Sequence, residues 1–342
     1  SIETRVNTVG SAFYGVECKI VDPETNSEVD NVTEGNVLVI LDKTPFYGEG
    51  GGQIGDTGTI YADGKLLNVY DTKKKDGVYL HMCTVVNGEF KVGDAVMSDI
   101  DDMRRKSIAR NHSACHLLQA ALRTVLGDHV EQAGSYVSGE VCRFDFTHFA
   151  ALTEMEIQKV EALVNLHILA ANEIVTKETD IETARKEGAM ALFGEKYGKV
   201  VRMVKMGDFS TELCGGTHCD NTGKIGLFKI ISESSVAAGV RRIEATTGFG
   251  VLELMAQKDA MILGVAKELK VQNPADSAKR VAQLHGELAV AKREIESLNA
   301  KIAGSKLGDV LAGAITVGSV KLVTAALDME IDAARSLSDK IK

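Results

Sequence analysis

The stretch Asp102-Met103-Arg104-Arg105-Lys106-Ser107-Ile108-Ala109-Arg110-Asn111-His112-Ser113-Ala114-Cys115-His116-Leu117-Leu118-Gln119-Ala120-Ala121-Leu122-Arg123-Thr124-Val125-Leu126 divides the chain. Ile108, Cys115, Leu118, Leu122 and Leu126 recur in it at helical spacing, and Gly127-Asp128 stops the pattern. The chain ahead of this helix reads as β. Val37-Leu38-Val39-Ile40-Leu41 is a short apolar run rich in branched residues. Thr57-Gly58-Thr59-Ile60-Tyr61, Leu67-Asn68-Val69-Tyr70 and Val78-Tyr79-Leu80-His81 follow at close spacing. Asp63-Gly64, Asp76-Gly77 and Asn87-Gly88 separate them, dipeptides that tolerate positive φ and make tight turns. Many short strands with regular turns predict a small β-barrel or meander over residues 1–100.

Behind the helix, Tyr136-Val137 and Val141 to Phe146 read as strands. A second helix is expected over Glu154 to Asn172, with Ile157, Val160, Leu163, Val164, Ile168 and Leu169 on one face. Strands are expected again at Val200-Val201-Arg202-Met203-Val204 and Gly226 to Ser232. Strands and helices mixed without regular βαβ alternation make residues 101–248 an α+β domain, and the chain an α+β protein. After about residue 249 the pattern is helical. Val281, Leu284, Leu288, Ala291, Ile295, Leu298 and Ile302 step alternately by three and four, the a/d seam of a coiled coil. Asn273-Pro274 separates this helix from an earlier one over Leu254 to Leu269. An antiparallel helical hairpin over 249–305 is expected, closed by Gly304 and Gly308. Leu311 to Asp328 then begins a partial α/β unit, 306–342.

With 342 residues, 44% hydrophobic and 25% charged, the chain is globular in composition and long enough for two or three domains. Mean hydropathy near zero excludes low-complexity disorder. No apolar run is long enough to span a membrane. Ser1-Ile2-Glu3-Thr4-Arg5 lacks the features of a secretory signal, and six cysteines are too sparse for a disulfide scaffold; a cytoplasmic location follows as an expectation. A net charge of −9 requires any nucleic-acid contact to use local basic patches rather than an overall field. The chain does not begin with Met, and Ser338-Asp339-Lys340-Ile341-Lys342 stop inside a helical pattern, so it reads as a piece of a longer protein.

His112-Ser113-Ala114-Cys115-His116 places two imidazoles at i and i+4 on one helix face, about 5–6 Å apart at Cβ and able to share one ion. Among eight histidines such a pair arises readily by chance. Cys214-Gly215-Gly216-Thr217-His218 adds a thiolate and an imidazole around two glycines that let the backbone curl. One Cys and three His suit Zn2+. The two motifs are too far apart in sequence for a zinc finger, which closes within about 12–20 residues. Ligands drawn from a helix and a remote loop imply a site inside a larger fold. Cys115 reads as core, and Cys18, Cys83 and Cys142 as small hydrophobes.

Leu41-Asp42-Lys43-Thr44-Pro45-Phe46-Tyr47, Gly51-Gly52-Gln53-Ile54-Gly55-Asp56, Asn111-His112-Ser113, Arg143-Phe144-Asp145-Phe146 and Cys214-Gly215-Gly216-Thr217-His218 together resemble the alanyl-tRNA synthetase family, in the part downstream of its aminoacylation core. Free-standing alanyl-tRNA editing proteins share the zinc motifs. The stretch Phe13 to Ile40, the helical hairpin and the segment after Gly308 resemble the synthetase more. The resemblance implies an editing domain over 101–248 that hydrolyses the ester of mischarged Ser-tRNA(Ala) and Gly-tRNA(Ala). It implies one zinc ion held by His112, His116, Cys214 and His218, and a pocket position at Gln132. ATP would be used only by the aminoacylation domain of the full-length enzyme, which this chain lacks. The implied partner is the tRNA(Ala) acceptor end carrying serine or glycine. The family's usual Thr or Ala is Cys115 here, which leaves the ligands intact.

Gly50-Gly51-Gly52-Gln53 is followed by no Lys-Ser/Thr and is not an ATPase phosphate loop. Gly51, Gly52 and Gln53 fit close approach to the acceptor end or the pocket, and equally a bland tight turn. Arg104-Arg105-Lys106 with Arg110, and Arg241-Arg242, fit phosphate contacts or solvated charge. Lys73-Lys74-Lys75 reads as solvated. Asp145 reads as the ion-pair partner of Arg143, or as an acceptor behind a ligand imidazole. The heptads fit intramolecular packing, with homodimerisation through the coiled coil as the sharper alternative. A free-standing deacylase and a non-catalytic, zinc-stabilised RNA-binding module are the rival functions.

Overall fold

The computed structural model describes residues 16–21, 31–190 and 198–326, and a few positions beyond. The readings of residues 1–5, of parts of the Phe13–Ile40 stretch, of Asp328 and of Lys340 to Lys342 lie outside the described residues, as does the side chain of Cys18.

The first strands are β1 (Val16–Val21), β2 (Asn31–Val32), β3 (Asn36–Leu41), β4 (Gly58–Ala62), β5 (Lys65–Lys75), β6 (Val78–Asn87), β7 (Phe90–Lys91) and β8 (Ala95–Ile100). Six of them close an antiparallel barrel in the order β1-β3-β6-β5-β4-β8, with β8 returning to β1 at Val16↔Val96. Alternation along β3 sends Val37, Val39 and Leu41 inward to join Ile20, Ile60, Leu67, Val69, Cys83 and Phe90. The β5–β6 connection shows why the turn dipeptides mattered. Asp76 and Gly77 both have positive φ (51° and 83°), the two-residue hairpin geometry whose twist matches that of the flanking strands.

Next come α1 (Asp102–Leu126), β9 (Gln132–Val137), β10 (Cys142–Thr147), α2 (Glu154–Leu169), β11 (Ile174–Asp180), α3 (Ile181–Lys186), β12 (Val200–Met206), β13 (Ser210–Leu213), β14 (Phe228–Ala237) and β15 (Val240–Thr247). They form two antiparallel sheets, β14-β15-β10-β9 and β11-β12-β13. Asp101 caps α1 by accepting from the Arg104 amide. Thr153 and Glu156 cap α2 reciprocally as a capping box. Every residue of α1 from Asn111 to Leu122 is buried, so the helix runs through the core rather than over it. Leu117, Leu118 and Leu122 pack there with Phe144 and Phe146 of β10 and Val160, Val164 and Ile168 of α2. Leu169, expected on the same face of α2, is exposed, because the helix ends there rather than at Asn172.

The barrel is tied to α1 by charge. Asp56 receives the guanidinium of Arg105 and the amide of Tyr47, while Arg104 donates to the Gly55 carbonyl at 2.7 Å. Arg104 and Arg105, read from sequence as phosphate contacts or solvated charge, thus fasten two parts of one unit.

One compact unit extends to Met255 and a second begins at Ala256, inside α4 (Phe249–Glu268). A short 3-10 turn at Pro274–Asp276 follows, then α5 (Ser277–Ala312) and a small ladder of β16 (Ile315–Val317) with β17 (Val320–Leu322). The break at Pro274 falls where the sequence put it. The expected stop at Gly304 and Gly308 does not: α5 continues through both, since a glycine in an exposed helix costs only about 1 kcal/mol and does not clash. Among the described residues most of the heptad seam lacks the expected intramolecular packing, with Leu284 half-buried. Val281, Leu288, Ile295, Leu298 and Ile302 are all exposed. No described helix is long and apolar enough to cross a membrane.

Candidate metal centre and its pocket

His112 and His116 share one face of α1 by their i,i+4 spacing, and Cys214 and His218 come from the loop after β13. One donor atom from each of the four lies within 4.8 Å of the other three. Cys214 Sγ is 3.3 Å from His112 Nε2 and 3.3 Å from His218 Nε2. A tetrahedral ion with bonds of about 2.0–2.3 Å has donor–donor edges of about 3.3–3.8 Å, and the two sulfur–nitrogen separations match them. Three nitrogens and one sulfur suit zinc.

The loop reaches the helix because position 216 has no side chain. A Cβ on Gly216 would collide with the His112 ring and lie 2.8 Å from Gln53 Oε1. Arg202 of β12 holds the loop from behind, donating to the carbonyls of Cys214 and Gly216 at 2.8 and 2.7 Å. The Gly216 amide points at Cys214 Sγ (3.4 Å), which favours the thiolate form as a ligand.

Each imidazole has surroundings of its own. His112 Nδ1 meets Gln53 Oε1 at 2.7 Å, and His218 Nδ1 meets Ser113 Oγ at 3.2 Å. His116 Nδ1 lies 3.5 Å from Glu212 Oε2 without hydrogen-bond geometry. Burial holds all three rings neutral: it pushes His112 down to about 3, and His116 and His218 well below the usual imidazole range, with the Arg202 charge adding to the effect. Neutral imidazoles are what a metal binds. Burial likewise pushes the Glu212 carboxyl up to about 8, against a hydrogen bond from Ser210.

Beside the cluster lies a cavity of about 40 Å³, lined by His112, His116 and Cys214 together with Gln119, Glu212 and Phe144. Gln132 and Ser135 also line it, hydrogen-bonded to each other at 3.2 Å, as does Gly51. The four sequence-nominated ligands, Gln132 and Gly51 therefore share one site. Gly52 packs against Ser135, and Gln53 faces inward to His112 and Thr217.

Arg241 and Arg242 are not among the lining residues. Arg241 pairs with Glu233, and Arg242 grips Asp145 through two bonds of 2.7 Å. Asp145 therefore belongs to Arg242, which sits directly opposite it across the β10–β15 ladder, and not to Arg143 or a ligand imidazole. Arg143 lies over the Tyr136 ring instead, and Arg110 over that of Phe249. Sequence reading missed Arg202, Glu212, Ser113, Gln119 and the inward role of Gln53. The only signal for Glu212 was an acidic residue two positions before the cysteine.

Known families extend this picture. Residues 201–244 match the model of the Threonyl and Alanyl tRNA synthetase second additional domain, and residues 5–104 match tRNA synthetases class II (A). The alanine–tRNA ligase of Acetivibrio thermocellus is 50% identical over 92% of this chain and 36% of its own length. Alanine–tRNA ligase 1 of Lachnoclostridium phytofermentans is 49% identical over 94% of the chain and 37% of its own. The Alkaliphilus oremlandii ligase is 46% identical over 97% and 38%. The chain belongs to the alanyl-tRNA synthetase family, and it spans little more than a third of the length of these relatives.

Proposed function

We propose that this segment is an editing hydrolase, cleaving the ester that joins serine or glycine to the terminal adenosine of mischarged tRNA(Ala). The observation that carries the proposal is the three-histidine, one-cysteine cluster beside a cavity that sets Gln119, Gln132, Ser135 and Glu212 among apolar walls of Val137, Phe144, Met190 and Leu213. A cavity built only for structure has no reason to keep Gln119, Gln132, Ser135 and Glu212 around its ligands.

The chemistry of discrimination explains why such a site is needed. A pocket that accepts an alanine methyl rejects glycine weakly, and an added hydroxyl gives it little more to exclude. A second pocket with polar groups placed for a serine hydroxyl refuses alanine, because those groups would be left buried and unpaired. Gln132 and Ser135 both stand at the wall, and Gln132 holds either the hydroxyl or the attacking water. Bound zinc supplies positive charge and Lewis acidity. His112, His116, Cys214 and His218 hold it, and Arg202 keeps their loop closed. In a full-length ligase, attachment of alanine with ATP falls to a region outside this chain.

The purified protein with zinc is expected to release serine from Ser-tRNA(Ala), read as loss of charged tRNA. Cys214→Ala is expected to lose zinc and slow deacylation by at least about a hundredfold, the scale at which removing a metal ligand acts. Intact Ser-tRNA(Ala) after incubation with zinc-loaded wild-type protein would sink the reading. Wholesale melting on chelation, without any deacylation before it, would favour a metal-stabilised RNA-binding module.

A further inference from the structure

Gln53 lies in the glycine-rich loop between β3 and β4 of the barrel, yet its side chain is fully buried in the metal centre. The loop is laced to the end of β9: the Ile54 amide donates to the Val137 carbonyl at 3.1 Å, and the Val137 amide to that of Gly52 at 2.8 Å. From there the Gln53 amide makes three bonds. Its Nε2 donates to Thr217 Oγ1 at 3.0 Å, and its Oε1 accepts from the Thr217 amide at 2.9 Å. The same oxygen lies 2.7 Å from His112 Nδ1.

These contacts leave one consistent arrangement of hydrogens. A backbone amide can only donate, so the atom facing Thr217 N is the oxygen of the glutamine and not its nitrogen. An oxygen can only accept from a ring nitrogen, so His112 Nδ1 carries the proton. A neutral imidazole protonated at Nδ1 has its lone pair on Nε2, the nitrogen that faces Cys214 Sγ. We infer that Gln53 is a positioning residue for the metal: the barrel loop fixes the His112 tautomer and ring orientation, and pins the ligand-bearing loop at Thr217 through the same amide.

The inference rests on the metal reading above and not on deacylation, so the two fail separately. It also reassigns Gln53, nominated from sequence as a substrate contact. Metal affinity is the direct readout, measured on the whole chain by competition for zinc with a chromophoric chelator. Gln53→Leu is expected to weaken zinc binding by about 10- to 100-fold, the scale of lost hydrogen bonds behind a ligand histidine. Gln53→Glu keeps the acceptor oxygen and is expected to bind zinc close to the wild-type affinity. Wild-type affinity in Gln53→Leu, or equal weakness in both variants, would overturn the inference. An unchanged zinc affinity with a raised KM for Ser-tRNA(Ala) would overturn it in favour of a substrate contact. One measurement needs no variant: nitrogen-15 correlation of the His112 ring in the wild-type protein should show a protonated Nδ1. A bare Nδ1 there would refute the tautomer directly.

Discussion

In α1 the apolar positions Ile108, Cys115, Leu118 and Leu122 are buried, and the polar residues Asn111, His112, Ser113, His116 and Gln119 are buried too. In α5, Val281, Leu288, Ile295, Leu298 and Ile302 keep a helical apolar stripe just as regular and are between 42% and 58% exposed. Periodicity defines a stripe; it does not say what covers it. What separates the two helices in sequence is what lies off the stripe. Off the stripe, α1 carries Asn111, His112, Ser113, His116 and Gln119, and nearly all of these have a partner far along the chain. Asn111, for example, donates to the Ser138 carbonyl and accepts from Thr247. Much of α5 off its stripe is Lys, Arg and Glu, which water satisfies.

The difference can be broken most severely at Gly216, where the ligand loop leaves no room for a side chain beside the His112 ring. Gly216→Ala would drive a methyl group into the His112 ring, so zinc binding measured by metal content should be lost. A variant that retained stoichiometric zinc would show that the loop is looser than the contacts imply.

A matched pair of truncations comes next. Leu118→Ala empties a fully buried site and should lower the unfolding free energy by about 2–5 kcal/mol in urea titration. Leu288→Ala on the exposed stripe should change it by no more than about 0.5 kcal/mol. If a concentration-dependent assembly covers the α5 seam, the second value will grow with protein concentration, which turns the same experiment into a test of homodimerisation.

A pH-dependent effect smaller than that of Leu118→Ala belongs to a histidine in the barrel. His81 is fully buried, with Nδ1 on the Val39 carbonyl at 2.8 Å and Nε2 on Thr44 Oγ1 at 2.7 Å, and burial lowers it to about 4. Unfolded, it takes up a proton near its ordinary value of about 6.5, so below that pH the unfolded chain binds more protons than the folded one. Its contribution is present above about 6.5 and is lost as pH falls towards 4. Between pH 7 and 5.5 the loss is about 1 kcal/mol. His81→Gln should flatten that part of the stability profile, and an unchanged slope would assign the pH dependence to other groups.

Much of the barrel was legible because its signals are local. Asp76-Gly77 makes its turn with two adjacent residues, and β3 alternates within six. The clustering of the four candidate donors was legible for a related reason: each half of the set sits within a five-residue motif. Their surroundings were not. Asp145 was paired with its sequence neighbour Arg143, while antiparallel register placed Arg242 opposite it. Arg202 showed nothing in its own strand of the carbonyls it would hold at Cys214 and Gly216.

The amino-acid order by itself therefore determined most of the helices, the turns and the identity of one sulfur and three nitrogen candidate donors, since those depend on spacing and side-chain chemistry within a few residues. Only the tertiary structure decided that a barrel loop supplies the hydrogen-bond partner of His112, that Glu212 stands against His116, and that the α5 stripe is bare. These are facts about which distant surfaces meet, and hydrogen bonds of about 3 Å are set by the packing of whole elements rather than by any local pattern.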